Sequence, residues 1–139
     1  MITGMSLGEV EKYVCRNDKV DPTIWELGVL DTTTLAMIQD MSTTYEMDQL
    51  STQGMKTTLN IRMRNVEIVR FGLKGWSNFK DKNGNDLPFK SKKLQKYSKE
   101  CVVVDEDILN RIPLSVINEL ANEISSRNQL TEEEIKNLG

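Results

Sequence analysis

The segment that most restricts the fold of this chain runs from Val66 to Phe89, V-E-I-V-R-F-G-L-K-G-W-S-N-F-K-D-K-N-G-N-D-L-P-F. Apolar residues at helical spacing give way to two glycines, then to Trp76 and Phe79, then to an Asn-Gly dipeptide and a proline. Glycine closes helices because it enters the left-handed region at no steric cost. Asn83-Gly84 suits a primed hairpin turn. The segment therefore predicts an amphipathic helix ending at Gly72 or Gly75, an aromatic anchor with Trp76 and Phe79 aligned on a short helical turn, and a tight hairpin. Pro88 has no N–H to give a ladder, which puts the returning arm on a sheet edge.

The start of that helix is ambiguous. Leu59, Ile61 and Met63 alternate with Asn60, Arg62 and Arg64, a strand pattern. Leu59, Met63, Val66, Val69 and Leu73 also form a helical stripe, widened by Ile68 and Phe71. The second pattern runs longer and predicts one helix over 58–71. Upstream, residues 1–8 form a loose lead-in. Val10–Cys15 and Thr23–Leu30 read as strands of a hairpin joined by five to seven residues around Asp21-Pro22, with Gly28 as a bulge or bend. Asp31 reads as the N-cap of a helix over 32–41, with Leu35, Ile38 and Met41 on one face and Ala36 and Met37 beside them. Residues 42–56 show no sustained period and read as a mobile loop. The methionines at 37, 41, 47 and 55 read first as flexible core filler and second as an adaptable contact surface.

Downstream, Lys90–Lys99 reads as a solvated basic segment, and Glu100–Val104 as the clearest strand. Asp105 caps a short helix carrying Ile108 and Leu109. Pro113 opens a longer helix, at its first position, with a stripe of Val116, Ile117, Leu120, Ala121 and Ile124. Thr131 to Glu134 is a capping box for a last helix within 130–139, with Ile135 and Leu138 reaching inward. Trp76, Phe79, Val116, Ile117 and Leu120 are the expected core anchors, with the Trp76 indole at a seam between the middle and rear helices. The pattern amounts to one α+β domain over 1–139, an N-terminal antiparallel hairpin or small sheet followed by a mainly helical C-terminal half.

The inventory excludes most chemistry. There is no histidine, so the commonest general base and metal ligand are missing. Cys15 and Cys101 stand far apart, too few for a zinc site, and read as small buried apolar residues. Asp81, Asn83 and Asn85 match the first ligand positions of a calcium loop, but Asp86 replaces its glycine and Lys92 its bidentate glutamate, leaving a plain turn. Glu132, Glu133 and Glu134 complement the positive end of a helix dipole. A net charge of −3 argues against a nucleic-acid binder, and the lysines at 80, 82, 90, 92, 93, 96 and 99 lack interleaved aromatics. No phosphate loop, signal layout or membrane-spanning run is present, which leads to the expectation of a soluble, cytoplasmic, non-enzymatic protein without metal or cofactor.

Taken in order, V-R-F-G-L-K-G-W-S-N-F-K-D-K-N-G-N-D-L-P-F (69–89), V-V-D-E-D-I-L-N-R-I-P-L-S-V-I-N-E-L-A-N-E-I (103–124) and L-T-E-E-E-I-K-N (130–137) resemble the tail assembly chaperones of tailed bacteriophages. The likeness covers about the second half of the chain. It implies a holder of phage structural proteins, tape-measure, tail-tube or head–tail components, working in the host cytoplasm during assembly, with self-association compatible. Under it, Met37, Met41, Met47, Leu59, Met63 and Val66 are the expected partner-binding residues. The other class is a component of the virion itself: a head–tail adaptor, a capsid decoration or a minor tail protein.

Overall fold

The computed structural model describes residues 1–47 and 55–138. The fold is α+β, with three small antiparallel sheets and five helices among those residues. Strands β1 (Val10–Tyr13) and β2 (Ile24–Gly28) form the expected N-terminal hairpin, with a longer connection over 14–23. Asp31 caps α1 (Thr32–Met41), its carboxylate accepting from the Thr34 N–H. Strands β3 (Thr43–Met47) and β4 (Met55–Leu59) pair antiparallel, so the segment expected to be a mobile loop carries a β-ribbon in its described part; residues 48–54 lie outside the described residues.

Helix α2 (Ile61–Gly72) begins three residues later than the stripe suggests, because Thr57, Thr58 and Leu59 belong to β4 and Asn60 is the cap. Its buried face is Asn65, Ile68, Val69, Phe71 and Gly72, rotated away from Leu59 and Met63. Among the described residues Gly84 is the glycine with positive φ, and Gly72 does not take the left-handed conformation. Its role is space: a Cβ there would lie 2.8 Å from the Ile124 side chain of α4 (Leu114–Ser126). The expected packing of the middle and rear helices is therefore present, and a glycine sets how close they come.

The chain continues from α2 into β5 (Leu73–Ser77), which joins the first sheet in the order β1-β2-β5. Trp76 therefore lies on a strand, not on a helical turn. Lys74 is the extra residue of a bulge opposite Glu26 and Leu27, which places the irregularity there and not at Gly28. The Trp76 indole sits with Trp25, Phe79 and Phe89 at centroid distances of 5.7, 5.1 and 5.0 Å, and its N–H donates to the Leu87 carbonyl at 2.7 Å. It anchors the aromatic face of the sheet. The turn after it is a type I turn closed by left-handed Gly84, with the Gly84 N–H bonded to the Asp81 carbonyl, so Asn83 does not join a primed turn. The Asp81 carboxylate accepts from the Asn83 and Asn85 N–H groups, which accounts for this acid without a cation.

The basic segment is strand β6 (Ser91–Lys96), paired to β7 (Lys99–Val104) through Tyr97 and Ser98, both at positive φ. Helix α3 (Glu106–Leu109) follows its Asp105 cap, and Pro113 sits one position before the first turn of α4. Helix α5 (Glu132–Lys136) has the expected capping box but buries none of its residues, so Ile135 and Leu138 point to solvent. The core gathers around α2, which packs on α4, β7 and α1. Of the expected anchors, Ile117 and Leu120 are fully inside, while Trp76, Phe79 and Val116 are half-buried against the core; Trp25, not singled out from the sequence, is buried.

Candidate binding surface

Exposed apolar side chains from α1, β4 and α2 lie around the joints of the β3–β4 ribbon. The Asn60 N–H donates to the Ser42 carbonyl at 2.7 Å, which fastens the exit of α1 to the entry of α2. Ser42 and Thr43 bond back to the Ile38 and Gln39 carbonyls, and the Asn60 side chain accepts from the Met63 N–H at 3.2 Å. Thr43 stands opposite Leu59 and Tyr45 opposite Thr57, so Tyr45 and Leu59 share one face of the ribbon. The Tyr45 hydroxyl lies 3.4 Å from an Asp40 carboxylate oxygen, which turns that face toward α1.

This geometry brings together Met41 (64% exposed), Leu59, Ile61 (57%) and Met63 (60%), with Met37 one helical turn before Met41. A shallow hollow of about 510 Å³ runs along α1 over Thr32, Thr33, Ala36, Met37 and Asp40. Of the residues expected to bind a partner, Met37, Met41, Leu59 and Met63 thus lie outward around one joint. Val66 is half-buried against the core, and the side chain of Met47, in β3, lies outside the described residues. Ile61 and Tyr45 belong to the surface and were missed. Ile61 hid in the strand-or-helix ambiguity, and Tyr45 in a stretch without a period.

Electrostatics adds a second feature. The first turn of α2 carries Arg62 and Arg64 and no acid. Cations at the positive end of a helix dipole are unfavourable, and burial also pulls the Arg64 guanidinium below its ordinary pKa. Arg64 donates to the Asn65 side chain at 3.1 Å, and Asn65 donates in turn to Asn118 of α4 at 3.0 Å.

Other groups are used internally. Three lysines of the basic segment form ion pairs, Lys96 with Glu67 at 2.5 Å, Lys99 with Asp31, and Lys93 with Glu100 at 3.8 Å. The Tyr13 hydroxyl donates to Glu119 at 2.6 Å, and the Arg16 N–H donates to the same oxygen at 2.9 Å, tying the β1–β2 connection to α4. Burial, reinforced by this bond and by the Glu119 charge, pushes the Tyr13 phenol up to about 12. Burial and the same carboxylate push the Cys15 thiol up to about 11, which keeps it protonated and weakly nucleophilic at neutral pH. Glu119 itself is opposed by burial, but the donors around it prevail and hold it below the ordinary carboxylate range. Among the described residues no group of three or more acids or cysteines is placed to hold a metal, and no helix is long and apolar enough to cross a membrane.

No family model, curated protein or solved structure matches the chain.

Proposed function

We propose that this chain is a non-enzymatic phage assembly protein that holds an apolar segment of a structural partner on the α1–α2 end, in the manner of the tail assembly chaperones its sequence resembles. The observation that carries the reading is the convergence of Met41, Leu59, Ile61 and Met63, exposed, from three elements onto one joint. A folded chain of this size has a core to absorb such residues, and contiguous apolar exposure rimmed by polar groups marks interaction surfaces. Methionine suits a partner whose contact residues vary along its length, because its unbranched thioether repacks at little cost. A long helical tape-measure protein is such a partner, presenting apolar residues at i, i+3 and i+4. The tail-tube protein is the second candidate of the same class.

The test is co-expression of the tagged chain with the tape-measure and tail-tube proteins of the genome that encodes it. The expected result is co-purification with one of them, lost in Met41→Asp and Met63→Asp while both variants stay folded. Capture unaffected by either change overturns the assignment of this surface. Mass spectrometry of purified particles decides between assembly and virion roles: a chaperone is absent, whereas stoichiometric presence makes the chain a head–tail, decoration or minor tail component.

A further inference from the structure

We infer that the cleft between the N-terminal segment and the turn joining α4 to α5 is a binding site for an extended, basic peptide segment of another protein. The inference does not rest on the α1–α2 end or on what is held there. The cleft has a volume of about 460 Å³, within the size range of ligand pockets. It is lined by residues 3–6, by Glu9 and Glu11 at the start of β1, and by residues 126–131 at and after the end of α4. Among the described residues three buried side-chain polar atoms have no hydrogen-bond partner. Two of them, Arg127 Nε and Asn128 Nδ2, belong to neighbouring residues that line this cleft. A buried donor without an acceptor costs stability, so each such group calls for a reason. The Arg127 guanidinium is not free to turn away and find one. Its Nη1 donates to the Glu123 carbonyl at 2.7 Å and its Nη2 to the Glu11 carboxylate at 2.9 Å. Two buried donors beside one cleft are matched by an oxygen acceptor brought from outside the chain.

The charge of the lining selects the acceptor. Glu9, Glu11 and Glu134 stand there against Arg127, the one cation among the lining residues. Glu11 is taken up by Arg127, and Glu134 accepts from the Thr3 and Thr131 N–H groups at 2.9 and 3.2 Å. Glu9 is exposed and forms no ion pair among the described residues. A phosphate or carboxylate would meet this excess of negative charge, which disfavours both. An amide carbonyl accepts from the same donors without that penalty. A lysine or arginine next to it complements Glu9. A peptide in extended conformation supplies both together, its carbonyl oxygens to Arg127 and Asn128 and a basic side chain to Glu9.

The experiment is an NMR titration of the full chain with two blocked hexapeptides, one alternating alanine with lysine and the other alanine with glutamate. It is read on the side-chain N–H signals of Arg127 and Asn128. The lysine peptide is expected to shift both signals to saturation, and the glutamate peptide neither. Glu9→Gln is expected to weaken binding of the lysine peptide about threefold. Asn128→Leu keeps the shape of the side chain and removes the donor, and is expected to weaken binding about tenfold. The same variant is expected to melt at a higher temperature than the wild type, because it removes a buried donor that the folded chain leaves unpaired. A side chain that served only the fold would give the opposite change. Four results each overturn the inference: no saturable shift with the lysine peptide, an equal response to the glutamate peptide, indifference to Glu9→Gln, or an Asn128→Leu chain that binds as the wild type does or melts no higher. Binding is read on the isolated chain, so its failure leaves the function proposed above standing, and failure of capture at the α1–α2 end leaves this site standing.

Discussion

Over Ile68–Leu73, α2 and the residue after it sink Ile68, Val69, Phe71 and Leu73 into the core, and Gly72 lets α4 approach until Ile124 touches its backbone. Over Ile61–Arg64 the same helix turns Ile61 and Met63, which alternate with Arg62 and Arg64, to solvent. Composition does not separate the two ends, since both mix aliphatic and polar residues. What separates them is the availability of a surface to pack against: α4 and β7 cover the first, and the described part of the ribbon leaves the second open. Apolar residues at helical spacing therefore report that a face exists, without reporting whether the chain itself covers it.

The closed end can be broken hardest. Leu120→Ala empties a fully buried site in α4 and is expected to cost about 2–5 kcal/mol in denaturant unfolding. A loss under about 1 kcal/mol means that α4 does not seal this end. Gly72→Ala places a methyl group against Ile124 and is expected to cost about 1–3 kcal/mol. Ile124→Val in the same chain sharpens the point: if this pair sets the approach of α2 and α4, the two costs add to less than their sum.

A smaller effect comes from the bond that ties β1 to α4. Glu119 is held below its ordinary 4.5, so its contribution to stability is full above that value and fades as pH falls through its lowered pKa. Tyr13 is raised from 10.0 to about 12, so its contribution is full below 10 and is lost as pH rises toward about 12. Glu119→Gln is expected to cost about 1 kcal/mol at neutral pH and to flatten the acid limb, and Tyr13→Phe to flatten the alkaline limb. Unfolding midpoints followed from acid to alkaline pH check both. Limbs unchanged by the substitutions place the titrating groups elsewhere.

The same division explains what the sequence disclosed. Helix α1 is readable to the residue because Asp31 caps it and Leu35 and Ile38 keep a helical period. Helix α4 and the Thr131 capping box are readable for the same kind of reason, a local signal that agrees with the fold. The β3–β4 ribbon is not, because Thr44, Tyr45, Thr57 and Thr58 are all exposed, so among these described residues no buried face imposes alternation. Strand β6 is hidden by its lysines, of which Lys96 pairs with Glu67, distant in sequence. The Tyr97-Ser98 turn uses positive φ without glycine, which removes the usual hairpin signal. At the candidate surface, four methionine and leucine positions were recoverable from the sequence, but not Tyr45 or Ile61, whose placement depends on Asn60 meeting Ser42 across the joint.

The most direct measurement pairs two readings on Met63→Asp: the free energy of unfolding, and capture of the tape-measure or tail-tube protein in cells. An exposed side chain on an open binding surface predicts a stability change within about 0.5 kcal/mol together with loss of capture. Undiminished capture would contradict the account, and so would a loss of stability as large as that of a core substitution.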